Sequence, residues 1–221
     1  MQPTLGKKAP NLRISEWAQG GPLNFDGLAG RVVLVKVFQV NCPGCFLHAF
    51  PEAIGIHEKY GEQGLTVFGL ATAFEDFDKN TMENLKLLAE RGEVIGETRH
   101  AFSHNGELKN NALPYAIPFP LAMDELTKCG GEVGEREVTD FARAQLPGVD
   151  AMPAAQRAEI AARVRAHLEA KEYRAETFEM YALRGTPSTI LVDAEGVLRD
   201  VSFGQDFALE SKIRELLAAA A

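Results

Sequence analysis

Cysteine and tryptophan are scarce in this chain, with three of the former and one of the latter in 221 residues. Three cysteines cannot build a disulfide framework, and a chain of this length can bury a core without one. Long apolar runs are missing too: the most apolar stretch, residues 31–39, is broken by Lys36. Nothing reaches the ~18 consecutive apolar residues of a spanning helix, so no membrane partner is expected. Basic runs are also absent. Lys plus Arg number 23 against 31 Asp plus Glu, a formal net charge of -8, which speaks against a nucleic-acid partner or an anionic surface. Lys7 and Lys8 have no apolar run behind them, so no secretory signal is read there. A cytoplasmic location is expected, or a periplasmic one if a leader was trimmed.

What is present is a regular alternation of patterns. Residues 31–38 are a β-branched run between Gly30 and the Asn41-Cys-Pro-Gly turn, which predicts a strand buried on both faces. Residues 45–60 have helical spacing interrupted by Pro51, which predicts a kink. A second strand is expected at 65–71 and a second helix at 81–91 with Met82, Leu85, Leu88 and Ala89 inward. Residues 118–123 read as an edge-type strand, because Pro118 and Pro120 exclude a central ladder. A strand at 188–193, a turn at Gly196 and a strand at 197–203 precede a closing helix over 205–220, whose apolar face includes Phe207. The order predicts an α/β fold: a central mixed sheet flanked by helices.

The span from Cys45 to Pro187 is about twice what elements of average length would use. The excess falls in 92–113 and in 125–174; residues 154–173 are alanine-rich, with Ile160, Val164 and Leu168 on one stripe. One domain over 1–221 is expected, with a helical insertion at 125–174.

Cys42 and Cys45 stand at a strand end and the start of a helix. The helix amino terminus favours a thiolate, so Cys42 is the expected nucleophile. Cys45, one turn inside, is the expected resolving thiol. A structural zinc would need a second ligand pair. Cys129 stands alone and the five histidines supply no pair near it, so neither metal nor cofactor is expected. Cys129 reads as a loop thiol, His48 and His57 as ordinary helix positions, and Trp17 as packing for the amino-terminal segment. His100 and His104, four apart, could share a helix face but lack a third ligand.

Four segments carry a family resemblance: Gly6-Lys-Lys-Ala-Pro10, Leu28-Ala-Gly-Arg-Val-Val-Leu-Val35, Asn41-Cys-Pro-Gly-Cys45, and Tyr181-Ala-Leu-Arg-Gly-Thr-Pro-Ser-Thr-Ile-Leu-Val-Asp193. Together they resemble thioredoxin-like proteins, and within them the redoxin branch that contains the TlpA-type thiol-disulfide oxidoreductases. The resemblance covers 1–90 and about 176–221. It implies a thioredoxin-like fold and a Cys42–Cys45 redox pair that exchanges disulfides with a protein or small-molecule disulfide or dithiol, reset by a reductant or oxidant partner. It further implies a cis peptide at Thr186-Pro187, lying against the cysteines and docking substrate; Asn41, Pro43 and Gly44 border the thiols and complete the expected substrate-binding set.

Three departures from the family pattern stand out. Asn41 occupies a position usually held by Trp, which predicts a more polar rim. Lys36 stands where thioredoxins bury an acid; it either modulates the thiols as a nearby cation or snorkels to the surface at a strand edge. Pro51 follows the second cysteine by six residues rather than five. A peroxidase of the peroxiredoxin kind shares the fold, but its Pro and Thr or Ser are matched neither before Cys42 nor before Cys45. A non-catalytic binding module gated by the cysteine pair is the remaining alternative.

Overall fold

The structure, a computed structural model, describes residues 3–130 and 133–220. Met1, Gln2, Gly131, Glu132 and Ala221, which the expected domain and insertion include, lie outside the described residues. The elements run β1 (Ile14–Gln19), β2 (Val32–Phe38), a π-helical turn (Cys45–Ala49), α1 (Phe50–Tyr60), β3 (Leu65–Ala71), α2 (Met82–Arg91), α3 (Gly96–His104), β4 (Leu121–Asp124), β5 (Leu126–Lys128), α4 (Glu135–Gln145), α5 (Ala154–Glu169), β6 (Tyr173–Ala175), α6 (Glu176–Met180), β7 (Ser188–Val192), β8 (Leu198–Phe203) and α7 (Leu209–Ala220). They divide into two compact units, one taking in the chain up to Leu126 and from Ala175 onward, the other Thr127–Arg174.

The first unit is built on a six-stranded sheet in the order β1-β4-β3-β2-β7-β8 among the described residues. β2, β3 and β4 run parallel, while β1 joins β4 and β7 joins β2 antiparallel, as does β8 on β7. The sheet is therefore mixed, with helices covering it, as the pattern predicts. Every residue of β2 is buried. Its alternation splits the core: Val32, Leu34 and Phe38 face α1 and α7, whereas Val33, Val35 and Val37 join Phe68, Ile190, Tyr181 and Leu183 on the other side. Each such aliphatic side chain contributes roughly 1.5–3 kcal/mol by leaving water.

Two expectations are corrected. Residues 118–123 do not form an edge strand: β4 begins only at Leu121, past both prolines, so every ladder residue keeps its N–H and the strand sits between β1 and β3. The edge is β1, whose Trp17 lays its ring 5.8 Å from that of Phe68. The closing helix starts at Leu209 rather than 205, because Asp206 turns the chain by accepting the Ala208 N–H. Phe207 precedes the helix and is exposed instead of lying on its apolar face. The 92–113 segment, read as excess, contains α3, entered through Gly96 with φ +50°.

The second unit is two helices, α4 and α5, packed together over Val138, Ala142 and Val149, with Ile160, Val164 and Leu168 half-buried along α5. Arg143 pairs with Asp150 and Arg174 with Glu137 across it. Cys129 lies here as a half-buried free thiol whose N–H donates to the Glu172 carbonyl.

Asp124, at the end of β4, is fully buried in the first unit. Its carboxylate accepts the Thr72 hydroxyl at 2.9 Å and the N–H groups of Thr177 and Phe178 at 2.8 and 3.1 Å, which caps α6. Burial outweighs these donors and pushes its pKa up from 3.8 to about 6. The folded state therefore binds this proton more tightly than the unfolded chain, and the group's contribution to stability declines as pH rises from about 4 through about 6. Thermal unfolding across that window should show wild type losing Tm relative to Asp124→Asn as pH increases. A constant or growing wild-type advantage would contradict the burial argument.

Candidate active site

β2 delivers the chain to the carboxyl end of the parallel strands, where Cys42 stands just past the sheet and Pro43 opens the helical segment. Proline suits this first turn because its missing N–H would be unpaired there in any case. The Cys45 N–H closes the turn on the Cys42 carbonyl at 3.1 Å. Cys45 is fully buried beside Phe46 and Phe50, whereas Cys42 is half-exposed. The Cys45 thiol donates to Cys42 Sγ at 2.6 Å, and both cysteines are free. Opposite them comes the loop before β7. Its Thr186-Pro187 peptide is cis, the Thr186 carbonyl oxygen lies 3.7 Å from Cys42 Sγ, and the Pro187 carbonyl is held by the Gly204 N–H at 2.8 Å. Pro43, Gly44, Thr186 and Pro187 are all half-exposed around the Cys42 sulfur.

This environment separates the two thiols chemically. Cys42 falls from 9.0 to about 6, chiefly because the Cys45 thiol donates to its thiolate; the Thr186 hydroxyl and the Cys45 and Gly44 N–H groups help, and burial opposes them. Cys45 moves far upward, because burial disfavours its charge and the Cys42 thiolate both accepts its proton and repels a second anion. At pH 7 one sulfur is mostly thiolate and the other a thiol.

Around the pair, the structure locates the remaining expected residues. Asn41, expected on a polar rim, is buried and its polar atoms are committed inward: its N–H donates to Asn80 Oδ1 at 2.9 Å, its Nδ2 to Asp76 Oδ2 at 2.6 Å, and its Oδ1 accepts the Glu97 N–H at 2.7 Å. The close approach requires Gly96, where an added Cβ would fall 2.1 Å from Asn41 Oδ1. Thr98 donates from α3 to the Val40 carbonyl at 2.9 Å. The residue before Cys42 is thus pinned by the loop at 76–80 and by the first turn of α3.

Lys36 does not reach the surface: β2 is central, the side chain is 3% exposed, and its ammonium pairs with Glu52 Oε2 at 2.8 Å and donates to Thr189 Oγ1 at 3.1 Å. The groups that lower Cys42 are its immediate donors, and the Lys36 charge is taken up by Glu52. His48 is exposed, while His57 packs edge-on against Phe119, its Nδ1 without a partner. His100 and His104 are exposed on α3, and no group of three metal-ligating side chains occurs among the described residues.

Three contributors were not visible in the sequence. Gln39 is buried, its backbone bonds Cys45, and its Oε1 lies 3.3 Å from the Thr186 hydroxyl oxygen, an alternative acceptor to the Cys42 sulfur. Glu52 supplies the counterion of Lys36. Tyr115 donates its hydroxyl to the Phe46 carbonyl. None of the three belongs to a motif; only Glu52, seven residues after Cys45 on a predicted helix, could have been suspected.

Alkylation of the reduced protein followed against pH should show Cys42 reacting first with a midpoint of about 6, and Cys45 protected until well into alkali. A Cys42 midpoint near 9.0 would mean that the Cys45 donor does not act on it.

No family model and no curated protein matches the chain. Solved structures do. A thiol-disulfide isomerase from Corynebacterium glutamicum is 29% identical, over 96% of this chain and 97% of that one, with a TM-score of 0.59. A thioredoxin-like superfamily protein is 25% identical over 96% of each chain, with a TM-score of 0.56. A thioredoxin-like protein solved in its oxidised form, 14% identical over 96% of each chain with a TM-score of 0.52, shares the fold. The chain has a thioredoxin-like fold and is similar over nearly its whole length to a protein named as a thiol-disulfide isomerase.

Proposed function

We propose that the chain catalyses thiol-disulfide exchange through Cys42 and Cys45. The observation that carries this reading is the contact between a half-exposed, acidified sulfur and a buried, protonated one. In the reducing direction, the Cys42 thiolate attacks one sulfur of a substrate disulfide and displaces the other as a thiolate. Cys45 then gives up its proton to solvent and attacks Cys42 Sγ, which releases the second substrate thiol and closes a Cys42–Cys45 disulfide. Two electrons pass to the substrate, and a dithiol reductant resets the pair. Run backward, the same steps oxidise a dithiol and an oxidant resets the pair.

The substrate is a protein or small-molecule disulfide reaching Cys42 between Pro43-Gly44 on one side and Thr186-Pro187 on the other. Those residues are half-exposed and leave the outer sulfur open, while Cys45 can be reached only through Cys42. Opposite protonation states at rest let the first attack proceed without a base. They also hold back the second thiol until the charge on Cys42 is consumed, because forming the mixed disulfide removes the anion that adds to burial in holding the proton on Cys45.

Trapping tests the assignment. Cys45→Ser should accumulate covalent complexes through Cys42, Cys42→Ser should give few adducts and no turnover, and Cys129→Ser should behave as wild type. Adducts carried by Cys45 in a Cys42→Ser protein, or none in Cys45→Ser while wild type still cycles, would overturn it.

A further inference from the structure

The helix that carries Cys45 contains a main-chain oxygen which that helix cannot satisfy. Pro51 supplies no N–H, and the turn before it runs in π spacing, with the Phe50 N–H bonded to the Cys45 carbonyl. In α spacing the Phe46 carbonyl would take the Phe50 N–H, which is already used. In π spacing it would take the N–H of residue 51, which proline lacks. The Phe46 carbonyl is therefore stranded beside a side chain that is fully buried. Tyr115, from the segment between α3 and β4, donates its hydroxyl to that oxygen.

We propose that Tyr115 is a positioning residue for the resolving step, its hydroxyl holding the peptide between Phe46 and Leu47, one unit along the chain from Cys45, so that the Cys45 thiol stays within reach of Cys42. This rests on the exchange chemistry proposed above. The peptide is fixed at two points. The Phe46 ring stacks on Phe50 at 4.9 Å and meets Phe38 edge-on at 5.9 Å, and the carbonyl is fixed by Tyr115. A freed carbonyl would turn toward another donor and shift Phe46, the residue bonded to Cys45, and the contact between the Cys45 and Cys42 sulfurs would loosen with it. Burial raises the phenol above its usual range, so it remains a donor throughout the pH range in which the thiols work.

The test separates the two sulfur attacks in one turnover. Reduced Cys129→Ser protein, which keeps Cys42 and Cys45 as its two thiols and serves as the wild-type background, is mixed with the aromatic disulfide 5,5′-dithiobis(2-nitrobenzoate) at a pH well above the Cys42 midpoint. The first arylthiolate released reports attack by Cys42 and the second reports resolution by Cys45. In Tyr115→Phe, the first release should keep its wild-type rate within about twofold and the second should slow by about five- to tenfold, the kinetic equivalent of one hydrogen bond. The Cys42 alkylation midpoint should also move up, because its main donor has loosened; a purely structural hydrogen bond would lower Tm and leave that midpoint alone. Pro51→Ala provides the second arm, since it restores an N–H where the π spacing needs one. In that background Tyr115→Phe should slow the second release by less than about twofold. An unchanged second phase and midpoint in Tyr115→Phe, or an equal slowing in both backgrounds, overturns the role. Absence of the second release in wild type itself would overturn the exchange reading, and is seen before any Tyr115 variant is made.

Discussion

The hydrogen bond from the Cys45 thiol to Cys42 Sγ is the interaction on which the rest of the site depends, because it makes two identical side chains into different reagents. Its donor is trustworthy as a donor only while Cys45 stays protonated, and Cys45 stays protonated because it is buried. That burial in turn is a property of the fold. A strand with every residue buried, β2, ends at Phe38; the next helix folds back over the same face; and Phe46, Phe50 and Phe119 stack around the position where Cys45 must lie. The acidity of Cys42 is thus tied to core packing through one contact.

The supports around the pair differ in kind. Backbone geometry places Cys42 outside the sheet and Cys45 inside the helix. Polar pinning by Asn41 fixes the residue just before the nucleophile, and it requires a glycine at position 96 to make room. An ion pair between buried Lys36 and half-buried Glu52 ties the central strand to α1, and because the cation is out of water the two residues must be read as one unit. The π turn absorbs a proline displaced by one residue, at the expense of one carbonyl that another segment then has to satisfy.

Much of this was legible in the sequence where local pattern decides structure. The runs at 32–38 and 65–71 have the continuous apolar character of parallel strands buried on both faces, and Cys42 and Cys45 announce themselves by their place between strand and helix. Legibility ended where long-range contacts decide. The edge character assigned to 118–123 failed because prolines limit only the residues that pair, and pairing begins after them. Lys36 reads equally as a cation beside the thiols or as a residue needing an exit, since its counterion lies sixteen positions away on a helix face that no strand pattern reveals. Asn41 looked like a rim residue because its three partners come from the loop at 76–80 and the first turn of α3. Tyr115 could not have been found at all: the need it meets arises from a helix spacing that only the folded chain displays.

The central claim, that Cys42 and Cys45 turn over disulfides as a pair, is tested most directly by dithiothreitol-driven reduction of insulin run beside a peroxide-consumption assay. The account predicts that catalytic amounts of wild type accelerate insulin reduction through many turnovers, consume no more peroxide than its free thiols would, and lose the acceleration in Cys42→Ser. A protein that forms its disulfide reversibly yet leaves insulin reduction at the uncatalysed rate, or that consumes peroxide catalytically instead, would contradict it.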